Sequence, residues 1–160
     1  MGPPGLIASW GLPLATFLVG LVSGFVPVVN LEAYLLAVSV MAPPSATVPV
    51  VVLATLGQMI AKSALFFSAR SSRGLAKTPV RWLEVACERL RARRGHAWAV
   101  MLVSAFTGLP PFYVMSVAAG VLDWPFLAFV VAGGCGRLAR FAVLFAVPQL
   151  FLSKAGLPWH

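Results

Sequence analysis

The sequence predicts an all-α integral membrane protein, in which transmembrane helices combine with two re-entrant broken hairpins arranged as an inverted repeat. Of its 160 residues, 60% are hydrophobic and only 10% are charged, whereas a soluble domain carries about a quarter charged residues. Each bilayer crossing takes roughly 20 apolar residues, so the chain has room for about three to five membrane segments in one domain. Proline and glycine interrupt the apolar stretches at two places, and these interruptions predict the hairpins.

Residues 6–25 predict the first membrane helix, because they form an apolar segment long enough to cross a bilayer. No Lys or Arg precedes this segment and the apolar run continues to Met41, so we interpret it as a retained helix and not as a signal peptide. Residues 26–45 predict the first broken hairpin. Pro27 interrupts the helix there, and the apolar piece that follows Glu32 is too short to span by itself.

Residues 46–69 predict a second crossing, which carries Gln58 and Lys62. Because Lys62 lies within about two turns of the basic end of this helix, its side chain is interpreted as extending towards the headgroups. A supporting polar role at the site is the alternative.

Eight of the twelve basic residues lie between positions 70 and 94, and the chain has a net charge of +8. This cluster separates two long apolar stretches, so residues 70–95 predict a cytoplasmic segment that follows the positive-inside rule. An amphipathic helix on the inner membrane surface is expected there, with Thr78 as N-cap and Pro79 at its first position. Its arginines either set the orientation or bind anionic headgroups. No nucleic-acid partner is expected, because the cluster offers only Trp82 as an aromatic residue.

Residues 97–122 predict the second broken hairpin. Pro110 and Pro111 each lack the backbone N–H that a continuous helix would need. A kinked full crossing is the alternative for this segment. Residues 125–147 then predict the last crossing.

The two halves of the chain resemble each other when Gly57 is set on Gly136. This register also sets the break beside Glu32 on the break beside Pro111. The pattern indicates an inverted repeat with a substrate site at the membrane midplane, where the broken elements meet. Chance similarity between apolar segments is the alternative.

Glu32 is the first candidate site residue, because a carboxylate in the membrane centre costs about 2.5 kcal/mol or more unless it is protonated, paired or hydrated. We expect a proton-binding group or an ion-pair partner. A Glu that caps the following helix is the alternative. Asn30, Gln58 and Tyr113 are expected to supply uncharged hydrogen bonds around the site.

Arg137 and Arg140 are the other candidates, since they lie three residues apart on one side of the last helix. Guanidinium groups bind phosphate through paired hydrogen bonds and keep their charge, so these residues suit a phosphate headgroup. The alternative is an ion pair between Arg137 and Glu32. The sequence offers no nucleophile–base set and no metal motif, so neither an enzymatic reaction nor a metal or other cofactor is expected.

The arrangement resembles the DedA/VTT-domain superfamily of membrane proteins, once called SNARE-associated. The resemblance covers residues 26–147 and rests on four stretches, Pro27–Glu32, Gly57–Arg70, Leu109–Gly120 and Gly133–Arg140. Glu32 matches the functional Glu of the family. The chain departs from the family pattern at Lys62, where an acidic residue is common, and at Thr107 and Phe112, where arginines are usual.

The resemblance implies a lipid translocase in the bacterial inner membrane. Members of the family are linked to moving phospholipids or undecaprenyl phosphate between leaflets, often with dependence on the proton gradient. The expected partners are therefore phosphate-bearing membrane lipids and protons, and a second copy of the chain is kept as a candidate. Two other functions stay open, a small proton-coupled exporter of amphipathic cations and a membrane scaffold that transports nothing.

Overall fold

The structure is a computed structural model, and it describes residues 4–26, 29–72, 81–92 and 96–154. Over these ranges the chain forms seven α-helices, one short 3₁₀ helix and no strand, so the predicted all-α class is confirmed. The helices are α1 (Pro4–Phe25), α2 (Leu31–Met41), α3 (Thr47–Ser71), α4 (Arg81–Ala92), α5 (Ala97–Thr107), α6 (Phe112–Val121) and α7 (Phe126–Lys154). The predicted N-cap Thr78, with Pro79 and Pro27, lies outside the described residues.

Two helices in the described part of the chain are long and apolar enough to cross a membrane. Their apolar stretches run from Pro44 to Ser71 and from Phe126 to Phe151, and so include α3 and α7. By contrast, α2, α5 and α6 are apolar helices of only 10 or 11 residues. One short helix, α2, precedes α3, and three short helices, α4 to α6, lie between α3 and α7.

The ends of the short helices follow from local chemistry. The Asn30 side chain caps α2 by accepting hydrogen bonds from the backbone N–H groups of Glu32 and Ala33. Helix α5 ends at Gly108, whose φ of 80° is the left-handed conformation that glycine adopts without steric cost. Residues 108–111, which we call the α5–α6 break, contain two prolines and separate α5 from α6.

The helices form two compact units, each with its own apolar core. Unit 1 comprises Met1–Gln58 and Leu138–His160, and unit 2 comprises Met59–Arg137, so α3 and α7 each contribute one part to both units. Aromatic side chains are central to both cores. Phe141 and Phe145 pack with α2 and α3 residues in unit 1, and Phe66 and Phe129 stack at 5.0 Å in unit 2.

Glycines allow close helix contact in each unit. In unit 1, a Cβ atom at Gly57 of α3 would overlap with the carbonyl oxygen of Phe17 in α1, and one at Gly20 would lie 2.8 Å from the carbonyl oxygen of Ala54. In unit 2, a Cβ atom at Gly136 of α7 would lie 2.6 Å from the carbonyl oxygen of Leu102 in α5. The contacts α1–α3 and α5–α7 therefore both require glycine.

Substitution of Gly136 by Ala should destabilise the protein by about 1–3 kcal/mol, because the added methyl group meets backbone that has to move. Gly134 lies two residues away in the same helix and has no atom within 4 Å of its Cβ position. Gly134→Ala should therefore stabilise the helix by up to about 1 kcal/mol. Thermal unfolding of the two purified variants tests this, and equal melting temperatures would contradict the close contact.

Candidate functional site

Glu32 and Arg140 form an ion pair in unit 1. The Nε and Nη2 atoms of Arg140 both lie 2.7 Å from Oε1 of Glu32. The side chains are partly buried, with exposed fractions of 34% for Glu32 and 20% for Arg140. The carboxylate also lies in the first turn of α2, where the positive end of the helix dipole favours a negative charge.

This geometry distinguishes between the interpretations of Glu32. The cap of α2 is Asn30 and not Glu32, because the Asn30 side chain accepts the backbone hydrogen bonds. The cation bound to Glu32 is Arg140, so the alternative pairing of Glu32 with Arg137 is not the one observed. Arg137 belongs to unit 2.

Lys62 and Arg137 are two buried cations of unit 2, with exposed fractions of 5% and 9%. The Lys62 ammonium nitrogen lies 5.0 Å from the ring centroid of Tyr113, and the guanidinium carbon of Arg137 lies 4.9 Å from that of Phe112. Aromatic faces attract cations at these distances. The two positive charges are also near enough to repel each other.

The structure corrects the expectation that Lys62 extends towards a headgroup layer. Its side chain is buried and its ammonium group lies over the Tyr113 ring, so the charge is held inside unit 2. The reason is local: α6 places an aromatic ring within reach of the ammonium group. We therefore describe one group of four residues, the cation cluster, which comprises Lys62, Tyr113, Arg137 and Phe112.

Gly133 makes room for the ring that supports Arg137. A Cβ atom at Gly133 would lie 2.6 Å from the Phe112 ring. Gly133 precedes Arg137 by one helical turn and so lies on the same side of α7. The glycine-rich stretch before Arg137 thus has a packing role in placing the guanidinium group.

Three backbone carbonyls of the α5–α6 break, those of Leu109, Pro110 and Pro111, accept hydrogen bonds from the chain itself. Thr107 Oγ1 donates to the carbonyl of Leu109 at 3.1 Å, and Ser104 Oγ donates to that of Pro110 at 2.6 Å. The carbonyl of Pro111 accepts from the backbone of Val114 at 2.9 Å. Thr107 also accepts from the N–H of Leu109. The single hydroxyl proton of Thr107 is shared with the carbonyl of Val103, at 2.8 Å. Side chains of α5 thus supply hydrogen bonds to the carbonyls of Leu109 and Pro110.

Gln58 belongs to a second polar contact in unit 1. Its Nε2 atom donates to Ser23 Oγ at 3.0 Å, and Ser23 donates to the carbonyl of Gly20. The Oε1 atom of Gln58 is buried and has no hydrogen-bond partner within the described residues. Gln58 is thus a buried polar residue, as its place in an apolar helix predicts, and it links α3 to α1.

Sequence reasoning missed several residues that shape the site. Ser104 and Thr107 satisfy the second break, and Phe112 supports Arg137. A Ser or Thr a few residues before two prolines is a usable signal, since hydroxyl groups often bond to nearby backbone. The pairing of Asp123 with Arg70 at 2.7 Å, at the end of α3, was also not anticipated.

The described residues contain no group of three or more His, Cys, Asp or Glu side chains that could hold a metal ion. Comparison with protein-family models, with curated proteins and with solved structures finds no match for this chain.

A double-mutant cycle on Glu32→Gln and Arg140→Gln should show coupling. Each single change should cost about 1–2 kcal/mol of unfolding free energy, because it leaves a partly buried charge without its partner. The double variant should cost clearly less than the sum of the two. Denaturation of the four proteins measures the coupling.

The Arg70–Asp123 pair provides the matched control for this cycle. Its side chains are 43% and 47% exposed, so its coupling should be about 0.5 kcal/mol or less. Equal coupling energies in the two pairs would show that partial burial does not strengthen the Glu32–Arg140 ion pair.

Proposed function

We propose that the chain is a multi-pass membrane protein with two re-entrant hairpins, and that it moves a phosphate-bearing lipid between leaflets. The cation cluster is the observation on which the transport proposal rests, because two buried positive charges in one unit form a binding site for an anion. The membrane location is supported by the surface of the long helices.

The outward faces of the long helices are apolar. Large hydrophobic residues recur every three or four positions among the exposed side chains, as they do at Leu14, Leu18, Val22 and Phe25 of α1 and at Val48, Val52, Leu56 and Ile60 of α3. A soluble monomer exposes a single apolar patch of only a few hundred Å². Apolar stripes that continue over about three helical turns are the surface that lipid chains require.

The short helices support the re-entrant hairpins. At 1.5 Å per residue, the 11 residues of α2 extend about 16 Å, roughly half of the 30 Å hydrocarbon core. Irregular backbone at membrane depth has to be satisfied inside the protein. In the α5–α6 break, Ser104 and Thr107 supply such hydrogen bonds to the carbonyls of Pro110 and Leu109.

Helix bounds support the proposed repeat. The register of Gly57 on Gly136 is an offset of 79 residues (136 − 57). Adding 79 to the bounds of α2, 31–41, gives 110–120, and α6 spans 112–121. Adding it to the first residue of α3, 47, gives 126, where α7 begins. Each of the two glycines also contacts the helix that precedes the short helix of its own unit. With one crossing between them, two such hairpins would enter from opposite sides.

A lipid phosphate matches the cation cluster in charge and geometry. Arg137 offers a planar guanidinium fork and Lys62 a compact ammonium group, which together suit a phosphate bound by several oxygens. An anion between them would relieve the repulsion of two like charges in an apolar surrounding. The acyl chains would stay in the bilayer while the headgroup binds to the cation cluster.

The Glu32–Arg140 pair supplies the element for proton coupling. Protonation of Glu32 would release Arg140 from the ion pair, and Arg140 lies one turn from Arg137 on α7. The pairing also favours the lipid-phosphate proposal over an exporter of cations, because a cation site needs a carboxylate that is open to its substrate. The resemblance to the DedA/VTT superfamily points to phospholipid or undecaprenyl phosphate as the cargo.

The two ends of α3 should be accessible from opposite sides of the membrane, one end from each side. Ser45 and Ser72 flank this helix and both are exposed. In a variant without Cys87 and Cys135, Ser45→Cys should react with an impermeant maleimide added outside the cell, and Ser72→Cys only after the membrane is opened. Labelling of both positions from one side would contradict the crossing.

Reconstituted protein should move a fluorescent lipid phosphate between the leaflets of a vesicle. Arg137→Gln and Lys62→Gln should each slow this movement by about tenfold or more, because a hydrogen bond to a charged group contributes about 1.5–3 kcal/mol. Glu32→Gln should remove the dependence on a proton gradient. Chemical reduction of the label in the outer leaflet measures the rate.

Arg81→Gln is the matched control, since Arg81 is exposed on α4 and lies outside the cation cluster. Its rate should equal that of the original chain. Full transport in Arg137→Gln would remove the cation cluster from the mechanism. Loss of function only after changes on α4 would favour a scaffold.

A further inference from the structure

A separate cavity of about 360 Å³ lies in unit 2 between α4 and the α5–α6 break. Its lining comprises Val85, Ala86 and Arg89 of α4, residues 109–111 of the break, and Val114 of α6. Its volume is within the range of small-molecule sites, about 300–1,000 Å³. Phe112 and Tyr113, which lie against the buried cations, are not among its lining residues.

The wall formed by the break offers no backbone N–H donor to a ligand. The carbonyls of Leu109, Pro110 and Pro111 already accept hydrogen bonds from the chain. The two prolines have no N–H, and the N–H of Leu109 donates to Thr107. All other lining side chains are apolar except that of Arg89.

Arg89 gives this apolar cavity a fixed positive charge. Its side chain belongs to an exposed residue of α4, and a guanidinium group keeps its charge at every physiological pH. Val85 and Leu109 are 41% and 74% exposed, so the cavity wall continues into exposed apolar surface. A ligand that fits has one anionic group and a hydrocarbon chain attached to it.

We propose that this cavity binds an anionic phospholipid of the surrounding bilayer, with its phosphate on Arg89 and an acyl chain against Val85, Leu109 and Val114. The inference rests on the membrane location proposed above and not on lipid transport. The bound lipid would hold α4 against the α5–α6 break. The residue that directly follows this break is Phe112 of the cation cluster. It is a stationary lipid, distinct from the cargo at Lys62 and Arg137.

The test uses the full chain in detergent, titrated with phosphatidylglycerol or with phosphatidylcholine of the same acyl chains, and counts bound lipids by native mass spectrometry. The original chain should retain one phosphatidylglycerol in preference to phosphatidylcholine. Arg89→Gln should weaken phosphatidylglycerol binding by about tenfold, the loss expected for one charge-assisted contact. Val85→Trp, which fills the cavity from its rim, should reduce the binding of both lipids.

Arg81→Gln is again the matched control, because Arg81 is an exposed arginine of the same helix that does not line the cavity. It should leave phosphatidylglycerol binding unchanged. An equal loss in Arg81→Gln and Arg89→Gln would assign binding to the diffuse charge of α4 and overturn the proposal. Equal binding of the two lipids by the original chain, or binding of neither, would also overturn it.

These outcomes are independent of transport. Selective binding that depends on Arg89, together with the absence of lipid movement in vesicles, would leave this site in place and remove the translocase. Lipid movement without binding that depends on Arg89 would support the translocase and overturn this lipid site.

Discussion

A polar group inside an apolar helical chain is costly unless it finds a hydrogen-bond partner, and this constraint shapes the places where the helices are interrupted. At the second break, Ser104 and Thr107 bond to the carbonyls of Pro110 and Leu109. At the turn between α2 and α3, Gln149 of α7 accepts from Thr47 at 2.9 Å and donates to the carbonyl of Ala42 at 3.4 Å. The cost of an unsatisfied polar group away from water is several kcal/mol, so these few side chains decide where the helices can be interrupted.

Charge follows the same constraint. The chain has four acidic and twelve basic residues, so most cations cannot be matched by carboxylates. Glu32 and Asp123 pair with Arg140 and Arg70, and Glu84 and Glu88 are exposed on α4. Inside unit 2, aromatic faces lie beside Lys62 and Arg137, and a ring quadrupole attracts a cation without neutralising its charge.

The helical class and the position of the second break could be predicted from the sequence, because apolar length and proline position act locally. Pro110 and Pro111 mark the second break and the structure interrupts the helix there. Pairing could not be predicted in the same way. Arg137 and Arg140 lie on one side of a helix, yet Arg140 bonds to Glu32 while Arg137 lies over Phe112. The choice depends on which neighbours α2 and α6 bring within reach. That is set by packing between residues 108 positions apart for Glu32 and Arg140, and 25 positions apart (137 − 112) for Phe112 and Arg137. The position of the Lys62 side chain could not be predicted for the same reason. Its distance from the helix end predicts extension towards the headgroups, whereas the Tyr113 ring beside it belongs to α6.

We propose that Lys62 and Arg137 together bind the phosphate of a membrane lipid. Solid-state NMR on protein in phosphatidylglycerol bilayers, with ¹⁵N in the Lys and Arg side chains, measures their dipolar coupling to lipid ³¹P directly. Signals assigned to Lys62 and Arg137 by comparison with the Lys62→Gln and Arg137→Gln proteins should be dephased by phosphorus, as they would be in direct contact. Dephasing confined to arginines of α4, with the Lys62 and Arg137 signals unaffected, would contradict the claim.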